Sequence, residues 1–172
     1  MSKFNENDAL NIAKDVIGSE ILAINSLKKT LGKNLYLACK KIYSCKGKLI
    51  VTGVGKSGHI ANKLSATFSS TGTPSFFMHP SEAMHGDIGV ISKKDIILII
   101  SNSGSTPEII SILPSIKKIG CSIISLCGEK KSKIYEESNI SLDISVKKEA
   151  CPLNLAPTSS TTITLVLGDI LA

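Results

Sequence analysis

Two regimes of hydrophobic patterning divide the chain near residue 45. Before it, apolar residues recur at helical spacing. Ile12, Val16, Ile17, Ile21, Leu22, Ile24, Leu27 and Leu31 predict a helix over 9–31, and a second is expected over 34–45. After it, short β-branched runs alternate with helical stretches. The runs are "KLIVTGV", "PSFFMH", "DIILIIS", "CSIISLC" and "ISLDISV". They are nearly continuous rather than alternating, as strands covered on both faces should be. Between them lie "HIANKLSATFSS", "PEIISILPSIKKIG" and "SKIYEES". The expected fold is α/β: a doubly wound, parallel sheet of about five strands with helices on both faces, behind N-terminal helices. One domain is expected, with 1–45 as a helical segment and 46–172 as the α/β core. Ligands of such sheets sit beyond the carboxyl ends of the strands, so the residues after each run carry the chemistry.

Composition narrows the function. Of 172 residues, 42% are hydrophobic and only 20% charged, which fits a globular chain and not a disordered one. No apolar run approaches the roughly 18 residues of a membrane span. The N-terminus "MSKFNENDALNIAK" lacks a signal-peptide hydrophobic region, so a cytoplasmic location is expected. The net charge of +6 comes from lysines alone, without a single arginine, and they are scattered without aromatic interleaving. This predicts a solvated surface that mildly favours anions, not a nucleic-acid partner. Five cysteines without C-x-x-C spacing argue against a disulfide framework or a zinc site. Cys151, in a Cys-Pro loop, is a weak nucleophile candidate.

The first strand run leads into "TGVGKSGH", residues 52–59. A nucleotide P-loop needs a glycine five positions before the Gly-Lys pair, and Ile50 stands there. Gly53, Gly55 and Gly58 spell G-x-G-x-x-G, but the dinucleotide reading also needs an acid about 20 residues on. From His59 to Ser81 there is none. What remains is a glycine turn at a helix N-terminus, where free N–H groups attract an anion, with Lys56 adding charge and Ser57 a hydroxyl. The third run leads into "SNSGSTPE", residues 101–108. Ser105 and Glu108 read as a capping box with Pro107 in the first turn. Capping leaves Ser101, Asn102 and Ser103 unexplained, and a phosphate cradle of hydroxyls and amides would explain them.

After the fifth run, Glu149 leads a Pro-containing loop, and "PTSSTT" then opens an apolar helix. Its hydroxyls exceed what one cap requires. Three such helix starts at one sheet edge favour a phosphate ligand. After the second run, "HPSEAMHGDIG" gathers His79, Glu82, His85 and Asp87 at a spacing that matches no helix-borne metal motif. His85 is open to an acid/base role, an adventitious metal or an ordinary loop.

The stretches "VTGVGKSGHIANKLSATFSSTGTPSFFMHPSEAMHGDIG", "ISNSGSTPEI" and "KEACPLNLAPTSSTT" resemble the sugar isomerase (SIS) domain of the D-arabinose-5-phosphate isomerases, over most of residues 48–170. The resemblance implies interconversion of D-ribulose 5-phosphate and D-arabinose 5-phosphate, which feeds the Kdo sugar of lipopolysaccharide or of some capsules. Carried over by position, Gly55, Ser57, Ser101, Asn102, Ser103, Thr106, Thr158 and Ser159 are its phosphate- and substrate-binding residues. Lys56, His85, Glu108 and Glu149 are its active-site residues. It implies no metal or organic cofactor, and a homotetramer with shared active sites. It also implies a paired CBS regulatory module and a histidine in an "HPGG"-like segment. Neither is in this chain, which is expected to be the SIS domain alone, stopping mid-helix at "GDILA".

An aldose–ketose isomerase moves a proton between C1 and C2 through an enediol, and a carboxylate can remove and return that proton. Glu149 is the first choice for this base because no cap explains it; Glu108 is second because the capping box competes for it. Lys56 suits the developing enediolate. Two rival readings stand beside this one: a non-catalytic sugar-phosphate sensor, and an isomerase of another phosphosugar. No DNA-binding domain precedes Leu10, which counts against the sensor.

Overall fold

The computed structural model describes residues 5–172. Two helices lead the chain, α1 (Glu6–Leu27) and α2 (Lys33–Tyr43). Asn5 caps α1 by accepting a hydrogen bond from the Asp8 N–H at 3.0 Å, and Glu6 and Asp8 put negative charge at its positive end. These polar residues start α1 ahead of its apolar pattern. Leu31 falls outside it, in the turn before Gly32, the N-cap residue of α2.

The α/β core follows as β1 (Leu49–Gly53), α3 (Lys56–Ser70), β2 (Ser75–Phe77), α4 (Pro80–Met84), a 3-10 turn at Asp87–Val90, β3 (Ile96–Ser101), α5 (Pro107–Ile119), β4 (Ser122–Cys127), α6 (Lys133–Glu137), β5 (Ile140–Asp143) and α7 (Ser159–Leu171). Every strand pairing is parallel, in the order β2-β1-β3-β4-β5. This is the doubly wound sheet that the alternating runs predict. Side chains alternate between its faces. Leu49, Val51, Leu98, Ile100, Ile124 and Leu126 pack with α1, α2, α3 and α7. Ile50, Ile97, Ile99 and Ile123 pack with α4 and α5. Each such side chain contributes roughly 1.5–3 kcal/mol by leaving water.

Three local differences bear on function. α3 starts at Lys56 rather than His59, because Gly55 adopts φ +60° and turns the chain directly into the helix. The segment read as a loop after β2 holds α4: Pro80 presets the first helical residue, and His79 Nδ1 accepts from the Ser81 N–H at 3.2 Å. β5 ends at Asp143, whose Oδ1 accepts from the Ser145 N–H at 2.8 Å and draws the chain out of the sheet. Among the described residues, no helix is long and apolar enough to cross a membrane.

Candidate functional site

From β1 the chain winds outward to β2; from β3 it winds the other way to β4 and β5. The direction reverses between β1 and β3, and there the carboxyl edge of a doubly wound sheet opens a crevice. Gly53 pairs with Ile100 in register, so the loop 53–55 and the loop 101–106 flank that crevice.

On the β1 side the glycines have separate tasks. A Cβ on Gly58 would stand 2.8 Å from the Gly53 carbonyl oxygen, and one on Gly53 2.9 Å from the Ser57 backbone. The strand end and first helical turn touch backbone to backbone. Gly55 is the N-cap residue and supplies no side-chain cap, so the first-turn N–H groups stay available to an anion. Lys56 is exposed and Ser57 half-buried in that turn.

On the β3 side the hydroxyls divide into two kinds. Ser101 is 2% exposed; its Oγ accepts from the Gly104 N–H at 3.1 Å and pairs with Thr106 Oγ1 at 2.8 Å. These bonds shape the loop. Asn102 and Ser103 are exposed at its tip, and the Asn102 carbonyl accepts from the Gly128 N–H at 3.0 Å. The expected capping box does not form. Thr106, not Ser105, is the N-cap residue of α5, and its hydroxyl turns to Ser101 instead of the helix. Glu108, half-buried in the first turn, is therefore not engaged as a capping partner.

The α7 start is built otherwise. Glu149 Oε2 accepts from the Thr158 N–H at 2.9 Å, the Thr158 hydroxyl at 3.1 Å and the Ser160 N–H at 3.1 Å. Thr158 Oγ1 in turn accepts from the Ala150 and Cys151 N–H groups at 2.9 and 3.3 Å. This corrects the expectation that no cap explains Glu149: its carboxylate is the cap of α7. Thr158 and Ser159, expected at a phosphate, both have partners within the protein. The Thr158 hydroxyl is spent on this network, and Ser159 is fully buried and donates to Glu20 Oε1 at 3.3 Å. Burial alone would raise the Glu149 pKa, but hydrogen bonds from Ser160 and Thr158 outweigh it and hold the carboxyl below the ordinary glutamate range. All three bonds go to Oε2, which leaves Oε1 free of them.

His85 is exposed at the end of α4. α4, which His85 ends, packs on the α5 face of the sheet, while α7, whose first turn Glu149 caps, packs on the other. No cluster of three or more His, Cys, Asp or Glu able to hold a metal occurs among the described residues. A cleft of about 300 Å³ opens beside the α3 start, lined by Gly55, Gly58, His59, Asn62, Phe77 and His79. The sequence reading did not single out His59 or Asn62, although both follow Gly55 on one helical face. Glu20 was missed as well; its one signal is a polar residue inside an apolar helical pattern.

The SIS domain family matches residues 41–172, which takes in the sheet and all three helix starts. This chain belongs to the SIS domain family. Over 165 residues it is 52% identical to the arabinose 5-phosphate isomerase KdsD of Pseudomonas aeruginosa, covering 96% of this chain and 51% of that protein. It is 47% identical to the KdsD of Escherichia coli K12, covering 96% and 50%. The chain thus spans about half the length of these curated relatives. Among solved structures, it superposes with a TM-score of 0.93 on E. coli CFT073 c3406 in complex with arabinose 5-phosphate, at 43% identity, covering 98% of this chain and 89% of that one.

Proposed function

We propose that this SIS domain interconverts D-ribulose 5-phosphate and D-arabinose 5-phosphate through an enediol, supplying the aldose for Kdo synthesis. The observation that carries this reading is the division of labour at the sheet edge. Two uncapped helix starts face each other across the β1/β3 crevice, and a third carries an ionised carboxylate. The names of the KdsD relatives and the arabinose 5-phosphate bound by c3406 supply the substrate.

In this reading the phosphate sits on the N–H groups and exposed polar groups of Gly55, Ser57, Asn102, Ser103 and Thr106. Ser101 shapes that loop from below. The open sugar chain then extends towards α7, where Glu149 moves the proton between C1 and C2. Its Oε2 is anchored, so Oε1 is the acceptor. Lys56 stabilises the enediolate, and His85 handles protons on the sugar oxygens. Glu108 is the second carboxylate. It stands in the first turn of α5, beside the phosphate loop. The chemistry requires no metal or organic cofactor.

The active unit is proposed to be a homotetramer with shared sites. Leu10, Ile12, Ile17, Ile21 and Leu22 are all about half exposed or more on α1, an apolar surface that a second copy would cover. A site that uses both His85 and Glu149, which adjoin helices on opposite faces of the sheet, is also met more readily between chains. The location is proposed to be cytoplasmic. Incubation with ribulose 5-phosphate and identification of the aldose tests the reaction. Arabinose 5-phosphate is the expected product; ribose 5-phosphate, or none, contradicts the proposal.

A further inference from the structure

α1 carries one polar side chain into the core side of the molecule that no helix requires. Glu20 accepts from the Ser159 hydroxyl at 3.3 Å through Oε1, and its Oε2 is buried without a hydrogen-bond partner. Burying a carboxylate oxygen is costly, and a leucine of similar bulk would be neutral or better for stability. The charge is partly offset by the positive end of α7, because Ser159 is the first residue of that helix. The same turn is gripped from the other side by Glu149, through the N–H groups of Thr158 and Ser160. Two carboxylates from distant parts of the chain therefore hold successive residues, 158, 159 and 160.

We propose that Glu20 is a positioning residue of the isomerase site: through Ser159 it fixes the first turn of α7 and with it the direction of the Glu149 carboxylate. This rests on the reading of Glu149 as the base. Glu149 is anchored to nothing but this turn and its own loop, so a small rotation of α7 would re-aim Oε1. Small misplacements of a reacting group cost rate steeply while leaving remote binding intact. Ser159 is fully buried, so its hydroxyl serves this link and no ligand. The link also makes the base sensitive to how α1 is seated, since α1 packs directly on α7.

The test is steady-state kinetics on purified protein, with ribulose 5-phosphate as substrate. Glu20→Leu should lower kcat about tenfold or more with KM changed less than about twofold, without loss of thermal stability. Glu20→Gln should keep kcat within about threefold of wild type, because its amide oxygen still accepts from Ser159. Ser159→Ala should match Glu20→Leu, and the double variant should be no worse than either, since both remove one link. Unchanged kcat in both single variants overturns the inference and leaves the isomerase reading standing. Equal losses in kcat and in binding, or additive effects in the double variant, overturn it as well. If Glu20→Leu does not fold, Ser159→Ala decides alone: a rise in KM with unchanged kcat would make Ser159 a binding residue. A wild-type protein that does not isomerise the substrate takes both proposals down together.

Discussion

The α5 start and the α7 start look alike as sequence. Each packs several hydroxyls around a proline at the mouth of a helix. In the fold they do opposite things. At α5 the hydroxyls of Ser101 and Thr106 bond each other, the helix goes without a side-chain cap, and the N–H groups are left for an anion. At α7 the anion is built in: Glu149 occupies the position an external phosphate would take. One kind of sequence thus yields an open site and a self-filled one. The difference lies in whether the preceding loop delivers a carboxylate. A hydroxyl-rich helix start is therefore a statement about anion affinity and not yet about a ligand.

The contrast can be broken most severely at α3, which shares the open arrangement. Gly58→Ala would push a methyl into the Gly53 carbonyl, so roughly 3 kcal/mol of stability should be lost, with sugar-phosphate binding lost alongside. Thermal unfolding with and without arabinose 5-phosphate reads both effects. At α5, Ser103→Ala should cost roughly 2 kcal/mol of binding for sugar phosphates and almost nothing for the unphosphorylated sugar. Calorimetric titration distinguishes these; equal weakening of both would mean that the loop holds something other than phosphate.

At α7 the effect is a matter of pH. The Glu149 pKa is depressed by folding, so its contribution is present above the ordinary glutamate value and is lost as pH falls through the folded value. Wild type should exceed Glu149→Gln by about 1 kcal/mol at neutral pH, the scale of one charged helix cap. The gap should narrow as pH falls below the ordinary glutamate range and close once the folded carboxyl is protonated, and urea unfolding across an acid pH series measures it. The smallest effect is expected at Ser105. Since no capping box forms there, Ser105→Ala should change stability by less than about 0.5 kcal/mol.

Much of this was legible in advance, and the limit has a physical cause. The run Ile96–Ile100 could only be a strand covered on both sides, and the order of such runs dictates a parallel sheet. The glycines of 53–58 and the hydroxyls of 101–106 act within a few residues of one another, so their spacing shows where each loop turns into its helix. The same logic misassigned the cap of α5, because Thr106 chose a partner five residues back over its own helix. Glu149 bonds a residue nine positions on, and Glu20 one 139 positions on. No local pattern encodes contacts of that range. The short α4 was hidden because a proline and a histidine cap read as a loop.

The central claim is that binding and proton transfer occupy different helix starts, the first at α3 and α5 and the second at α7. Solvent-deuterium exchange into arabinose 5-phosphate, measured beside its dissociation constant in Glu149→Gln, tests this most directly. The account predicts an unchanged dissociation constant and exchange reduced at least about 10²-fold, the typical scale of a positioned base. Near-full exchange in Glu149→Gln, with its loss in Glu108→Gln, would contradict the account and move the chemistry to α5.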